Sequence, residues 1–382
     1  MNDYKYYDII IIGAGLSGLA LAHECLKRTD KKVLILEKKK KFNYDKNWCF
    51  WNFPKNFFSN KYNNSWSKIN IFIDNKKITL TDGRVKYLRL RSIDFYQKIE
   101  SLINKNKNTE LIMGQNIKRI FSKDDFNFLK TQNKLYKSKI IFDSRPDFKT
   151  KKKGLMQHFY GIELNCKKPI FNEKEITLMD FQSFKKKIHF FYILPFSKKS
   201  ALIETTYFSN KLYTETKYKN DIKKYVKKKF GDISFRETFC EKGLIPMYKI
   251  YDKQNIKNLI KIGTAGNWVK ASTGYSFQNS FINAEKFVND IQQWKIPKPN
   301  NNKFINLLDE VFCLYINKYP ENSRLFFLNF FSKNNSISIV RFLIGISKFH
   351  EILKIIFSLP KIHLIKCFCI LLIKKVFYEK LH

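Results

Sequence analysis

Residues 7–37 read YDIIIIGAGLSGLALAHECLKRTDKKVLILE. Ile9–Ile12 is a short β-branched run, suited to a strand buried on both faces. Gly13-Ala14-Gly15-Leu16-Ser17-Gly18 follows as G-x-G-x-x-G, and Leu16, Leu19, Ala20 and Leu26 can then share one side of a helix. Val33–Leu36 is a second apolar strand, ended by Glu37. Gly13 permits the tight turn from strand to helix, Gly15 lets a pyrophosphate approach the backbone, and Gly18 lets the helix pack on the strand. The helix N-terminus offers unpaired N–H groups to phosphate. Glu37 stands 19 positions after Gly18, near the roughly 20 expected of an acid that binds a ribose hydroxyl. Strand, glycine loop, helix, strand and acid together predict dinucleotide binding. A plain glycine-rich turn and a signal peptide are the competing readings. The second is disfavoured because Ile9–Ala22, though apolar, has no clear basic flank or cleavage-like site and is interrupted by glycines.

The chain has 382 residues, 44% of them hydrophobic, enough for two or three domains' worth of core. Its formal net charge is +39. Lysines spread among many Asn, Ile and Phe are what compositional drift in an AT-rich genome would produce; the same charge would also draw the protein to an anionic membrane face. No zinc-finger, helix-turn-helix or RRM signature points to nucleic acid. The seven Cys are scattered with no C-x-x-C, and the six His do not cluster, so the expectation is a reduced cytosolic protein with no metal site. His158 reads as a structural or substrate-contacting side chain.

Asn47-Trp48-Cys49-Phe50-Trp51 packs three aromatics into five residues, either a core cluster or a wall for an apolar, conjugated substrate. Ile71–Leu80 alternates around a turn at Asp74-Asn75. Tyr87–Phe95 reads as a strand entering a helix, with Ser92 or Asp94 as N-cap. Lys139–Phe142, ending in Asp143-Ser144-Arg145-Pro146, suits a return to the dinucleotide sheet with its turn facing the cofactor. Gln157–Glu163, Glu175–Asp180, Ile188–Leu194 and Ala201–Phe208 predict a largely antiparallel inserted sheet, and Lys211–Phe230 a basic helix. Gly243–Met247 leads back to the core. Leu259–Ile262, then Gly263-Thr264-Ala265-Gly266 and Ser272-Thr273-Gly274-Tyr275, then a helix over Phe277–Gln292, form a second place where backbone N–H groups could meet a cofactor. Ile337–Ile346, Ile352–Leu359 and Leu364–Ile373 are apolar but fall short of the roughly 20 residues of a spanning helix. They predict helices packed on the core or lying in a membrane surface. The expected organisation is therefore α/β: a Rossmann-type domain over 1–150 and 246–300, an inserted antiparallel substrate domain over 151–245, and a helical region over 301–382.

Strand alternation places Leu202, Glu204 and Thr206 on one face and Ile203, Thr205 and Tyr207 on the other. A carboxyl among aromatics loses solvation and its pKa rises, which makes Glu204 a plausible proton donor to a poor base. An exposed sheet-face Glu is the plainer alternative.

Taken together, these stretches resemble the FAD-dependent lycopene cyclase family of carotenoid biosynthesis. The resemblance runs through Tyr7–Glu37, the Trp-Cys-Phe-Trp of 48–51, Phe142–Pro146, Gln157–Gly161, Pro169–Phe171, Leu178–Phe181, Leu194–Ser197, Ile203–Ser209, Gly243–Met247 and Gly263–Tyr275. It extends to Arg341–Leu343 and Ser358–Pro360. It implies a lycopene β-cyclase that works as an isomerase, with reduced FAD as cofactor and NAD(P)H as reductant, closing β-ionone rings without net redox. Glu204 would protonate the terminal double bond. Gly13, Ala14, Gly15, Ser17, Gly18, Glu37, Asp143, Arg145, Gly263, Thr264, Ala265, Gly266, Ser272, Thr273 and Gly274 would hold the cofactor. Trp48, Phe50, Trp51 and Tyr275 are candidates for the substrate wall. The implied location is cytoplasmic, peripheral on the inner face of the membrane that holds lycopene. Gln182, Tyr248 and Ala271 depart from the family pattern, which leaves ring type and one-end against two-end action open. A flavin monooxygenase shares the N-terminal architecture, but it would lack an essential acid at 204, and Thr264 follows Gly263 where its loop usually has Asp. A non-catalytic basic protein on the same fold is the third reading.

Overall fold

The computed structural model describes residues 4–55, 57–146, 154–250, 256–293, 295–298 and 302–379. The expected boundaries at 150/151 and 300/301 lie outside them.

The isoleucine run lies in Tyr4–Ile12, a central strand of a seven-stranded sheet. Val33–Leu36 pairs with it in parallel on one side and Leu135–Asp143 on the other. Thr109–Ile112 extends the first side in parallel, and Leu259–Lys261 joins Leu135–Asp143 in parallel. Strands buried on both faces need apolar side chains at every position, and Ile9–Ile12 and Val33–Leu36 supply them. Helices Leu16–Arg28 and Phe277–Gln292 share one core through Leu19, Ala22, Phe281, Ala284 and Phe287. This is the Rossmann-type α/β arrangement the sequence predicts. Two antiparallel strands, Phe126–Lys130 and Arg119–Lys123, complete the sheet.

The second seven-stranded sheet runs in the order Phe235–Pro246, Met156–Cys166, Ser200–Ser209, Ile188–Pro195, Glu175–Ser183, Lys68–Ile73, Lys76–Thr81. Two expectations change here. The hairpin Lys68–Thr81, assigned by position to the nucleotide-binding part, belongs to this sheet, because Ile69, Ile71 and Ile73 bury against the core that also holds Leu178 and Phe181. Phe235–Pro246 is a full edge strand rather than a connection beginning at Gly243. Its exposed residues, from Arg236 to Thr238 together with Cys240 and Lys242, hide the alternation.

Helix Glu215–Phe230 covers one face of this sheet, placing Tyr218, Ile222 and Tyr225 against Tyr160, Phe191 and Ile203. It starts at Glu215, not at Lys211, because the Thr214 hydroxyl accepts the Lys217 N–H. His158 lies on this helix-covered side, in contact with the Tyr218 hydroxyl at 2.6 Å. The opposite face is covered by helices Lys303–Lys318, Ser323–Ser332, Ser336–Ile344, Phe349–Ser358 and Lys361–Glu379. Phe326, Phe327, Phe330, Ile339 and Ile355 pack there with Phe190, Leu202 and Phe208. Each such side chain, fully buried, is worth about 1.5–3 kcal/mol. None of the described helices is long and apolar enough to cross a membrane. A three-stranded sheet, ordered Asn47–Trp51, Tyr87–Arg91, Asn64–Trp66, lies beside both large sheets.

Candidate active site

At the end of the first strand Gly13 turns with φ +93°, and a Cβ on Gly18 would overlap the Gly13 carbonyl oxygen. Nothing lies within 4 Å of where a Cβ on Gly15 would stand, so open space fronts the helix start. That helix has no side-chain cap and no acid in its first turn. Its N–H groups are therefore available to a phosphate, as the motif requires. Glu37 accepts the Ala14 N–H at 2.6 Å and the Lys39 N–H at 2.9 Å, so its carboxylate also braces the loop. The Ser17 hydroxyl meets that of Ser280 at 3.0 Å, and Gly263 packs beside Ser17. The two glycine loops thus converge on one helix start.

Several other sequence candidates turn inward. Asp143 is fully buried, and its carboxylate accepts from Arg145 (backbone N–H at 3.0 Å, Nε and Nη2 at 2.9 Å) and from Lys261 at 2.9 Å. Burial pushes its pKa up, but the Arg145 and Lys261 charges outweigh this and hold it below the ordinary value. The Ser272 hydroxyl donates to Asp309 at 2.7 Å, beside a buried Lys270–Asp309 ion pair, and the Thr273 hydroxyl donates to the Leu343 carbonyl at 2.9 Å. These side chains fix the loops. Contact with a cofactor would fall to neighbouring backbone and to Thr264 and Gly274, which border the central cavity.

That cavity has a volume of about 640 Å³ and lies between the second sheet, the 264–277 loop and the C-terminal helices. Its lining includes the polar side chains of Asn47, Gln157, Glu204, Thr206, Glu241 and Ser276, and a larger apolar set of Phe side chains with Ile355, Leu359, Leu364 and Ile365. Trp48 and Tyr275 line it as expected; Phe50 and Trp51 do not. The strand Asn47–Trp51 touches the cavity only with its first residues. Phe50 stacks on Phe277 at 4.1 Å and Trp51 meets Tyr87 at 4.7 Å, both with no exposed surface.

Glu204 faces the cavity with Leu202, Thr206 and Phe208, the face its alternation predicts. Its pKa is pushed up to about 8, first by burial and then by the nearby Glu241, against one hydrogen bond from Thr206 at 2.7 Å. Sequence reading missed Glu241. This carboxylate accepts the Asn47 backbone N–H at 2.7 Å and the Asn47 side-chain N–H at 3.2 Å. Asn47 Oδ1 in turn accepts from buried Arg89 at 2.6 Å and from the Tyr44 hydroxyl at 2.8 Å. Burial pushes the pKa of Glu241 up to about 7, with Asn47, Arg89 and Lys46 pulling it down. The available signal was an acid two residues before Gly243. Gln157 was also missed as a side chain: its buried Oε1 has no hydrogen-bond partner among the described residues, and it lies next to Gly274. An unused acceptor there suits a ring N–H of a bound cofactor.

Solved structures with this fold include a geranylgeranyl bacteriochlorophyll reductase-like protein from Thermoplasma acidophilum, 13% identical, with TM-score 0.66 over 95% of this chain and 99% of that one. A flavoprotein/dehydrogenase from Cytophaga hutchinsonii is 12% identical, with TM-score 0.61 over 89% and 93% of the two chains. A flavin-dependent brominase, Bmp2, is 14% identical, with TM-score 0.60 over 89% and 94%. At such identities the likeness is one of fold. No curated protein matches the sequence. The family described as lycopene cyclase protein matches residues 8–367, nearly the whole length and including both glycine loops, Glu204 and Glu241, and the chain belongs to that family.

Proposed function

We propose that this protein closes the ends of lycopene into β-ionone rings by acid catalysis, without net redox, and that β-carotene or its one-ring relative is the product. The observation that carries this reading is Glu204, a carboxyl held largely protonated at neutral pH in a cavity lined mostly by aromatic and aliphatic side chains. An uncharged polyene offers only apolar contact and π electrons, and such walls accept it. Glu204 protonates the terminal double bond, the neighbouring double bond attacks the resulting tertiary cation, and loss of a proton completes the ring. The Trp48 and Tyr275 ring faces stabilise the cation.

The two glycine loops fit FAD, and flavin is the cofactor named for the brominase and flavoprotein neighbours. Reduced FAD, with NAD(P)H as its reductant, would supply negative charge to a site that develops a cation. The helices Phe349–Ser358 and Lys361–Glu379 are assigned to the membrane surface. Phe357 and Ile362 are about 70% exposed, Lys354, Lys361 and Lys366 flank them, and Ile365 both faces outward and lines the cavity. Lycopene would then enter from an anionic bilayer without crossing water, which fits a peripheral position on the cytoplasmic face of the membrane.

Expression in cells that accumulate lycopene tests the reading. The wild type should convert the pigment, and Glu204→Gln should retain flavin and convert none. Unchanged lycopene beside folded, flavin-loaded wild type would overturn it in favour of an oxygenating flavoprotein.

A further inference from the structure

Gly161 sits at the centre of a three-strand register, opposite Glu204 on one side and Glu241 on the other. The two acids are thus two strand spacings apart, roughly 10 Å between Cα atoms, on one face of the sheet. A Cβ on Gly161 would lie 3.1 Å from Leu202 Cδ1, 3.4 Å from Glu241 Cγ and 3.5 Å from Glu204 Cβ, so a side chain there would crowd both acids. Their surroundings differ. Both oxygens of Glu241 accept from Asn47, which is itself held by Arg89, and Arg89 is anchored by Asn64 at 2.9 Å and covers the Phe196 ring at 3.4 Å. Glu204 accepts only from Thr206 among the hydrogen bonds of the described residues. Donors directed at a carboxylate favour its charged form. Two acids with opposed surroundings in one cavity are the usual sign of divided acid and base roles.

We infer that Glu241 is the base of this site, taking the proton that the cyclised cation must lose, while Glu204 delivers the first proton. The inference rests on the cyclase reading of the same cavity. The Glu204 O–H bond breaks as a C–H bond forms at the chain end. The neighbouring π pair makes the ring C–C bond. Glu241 removes a proton beside the cationic carbon, and that C–H pair becomes the ring double bond. One proton enters and one leaves: Glu241 releases its proton to solvent and Glu204 takes one from solvent before the next turnover. The groups facing Glu241 are Asn47, Cys49 and Lys46 from its first neighbour, Arg89 beyond them, and Glu204 across Gly161. Asn47, Arg89 and Lys46 favour its carboxylate form against the cost of burial. A base fixed at one point also fixes which proton is lost, hence which ring isomer forms.

The test compares Glu241→Gln and Glu241→Asp with wild type on lycopene in vesicles, with flavin content measured for each. Glu241→Gln should keep flavin and KM, lower kcat by about 10²–10⁴-fold, and release a mixture of ring double-bond isomers in place of a single one. Glu241→Asp, which keeps the charge but draws it back, should lower kcat less and restore the single isomer. Wild-type kcat with a single isomer in Glu241→Gln overturns the inference alone. Should the Gln variant fail to fold, Glu241→Asp decides: lowered kcat at unchanged KM supports the assignment, and wild-type kcat overturns it. A wild type that yields no ring at all overturns the cyclase reading instead.

Discussion

Glu204 and Glu241 flank Gly161 in register and face one cavity, yet Asn47 holds Glu241 and, among the described residues, only Thr206 donates to Glu204. Burial pushes Glu241 up to about 7, and burial with the Glu241 charge pushes Glu204 up to about 8. Turnover needs one carboxyl charged and the other protonated. It should be bell-shaped, falling below about pH 7 and above about pH 8. A kcat profile from pH 5 to 10, read as order-of-magnitude limits, checks this, and Glu241→Gln should lose the acidic limb.

The same shift acts on stability. Glu204 has a folded value near 8 against 4.5 as a free carboxyl, so the folded chain binds the extra proton between these values. Its burial costs nothing below about pH 4.5; the cost grows as pH rises and levels off above about 8. Glu204→Gln removes it. The variant's melting temperature should therefore gain on wild type between about pH 5 and about pH 9.

Gly18→Ala should remove cofactor binding. The added methyl group would overlap the Gly13 carbonyl oxygen, which is backbone and cannot step aside without moving the loop. Overpacking of this kind costs about 1–3 kcal/mol. The expected result is a folded, colourless protein by absorbance and a lowered melting temperature.

Lys270→Met should destabilise the chain by about 3–5 kcal/mol, because it strands the buried Asp309 carboxylate. Asp309→Leu in the same chain should restore much of that loss. Denaturant unfolding of wild type and the two variants measures both effects. The Ser272 hydroxyl, which shares Asp309, predicts weaker cofactor retention in the single variant.

Phe357→Ser combined with Ile362→Ser should reduce sedimentation with phosphatidylcholine–phosphatidylglycerol vesicles several-fold while leaving the unfolding free energy within about 0.5 kcal/mol of wild type. High salt should weaken binding further if the flanking lysines contribute.

Local patterns were legible and cross-strand ones were not. The Ile9–Ile12 run and its glycines announce the first βαβ unit because each requirement is met within a few residues. Alternation over 200–209 places Leu202, Glu204 and Thr206 together for the same reason, and helix Phe277–Gln292 has the predicted ends. The role of Glu241 depends on Asn47, 194 positions away, and on a register through Gly161 that no window of sequence contains. The hairpin Lys68–Thr81 reads correctly as strands, but neighbouring sequence does not say which sheet takes them. Phe50 and Trp51 share an aromatic cluster with Trp48, yet their strand has already left the cavity wall.

The most direct test of the central claim is an anaerobic conversion of lycopene in D₂O, with flavin reduced beforehand and the product analysed by mass. If Glu204 gives its exchangeable proton to carbon, each ring closed carries one deuterium and the product is otherwise an isomer of lycopene, and Glu204→Gln gives none. A product that forms only with oxygen and gains an oxygen atom, or rings that carry no deuterium, would contradict the account.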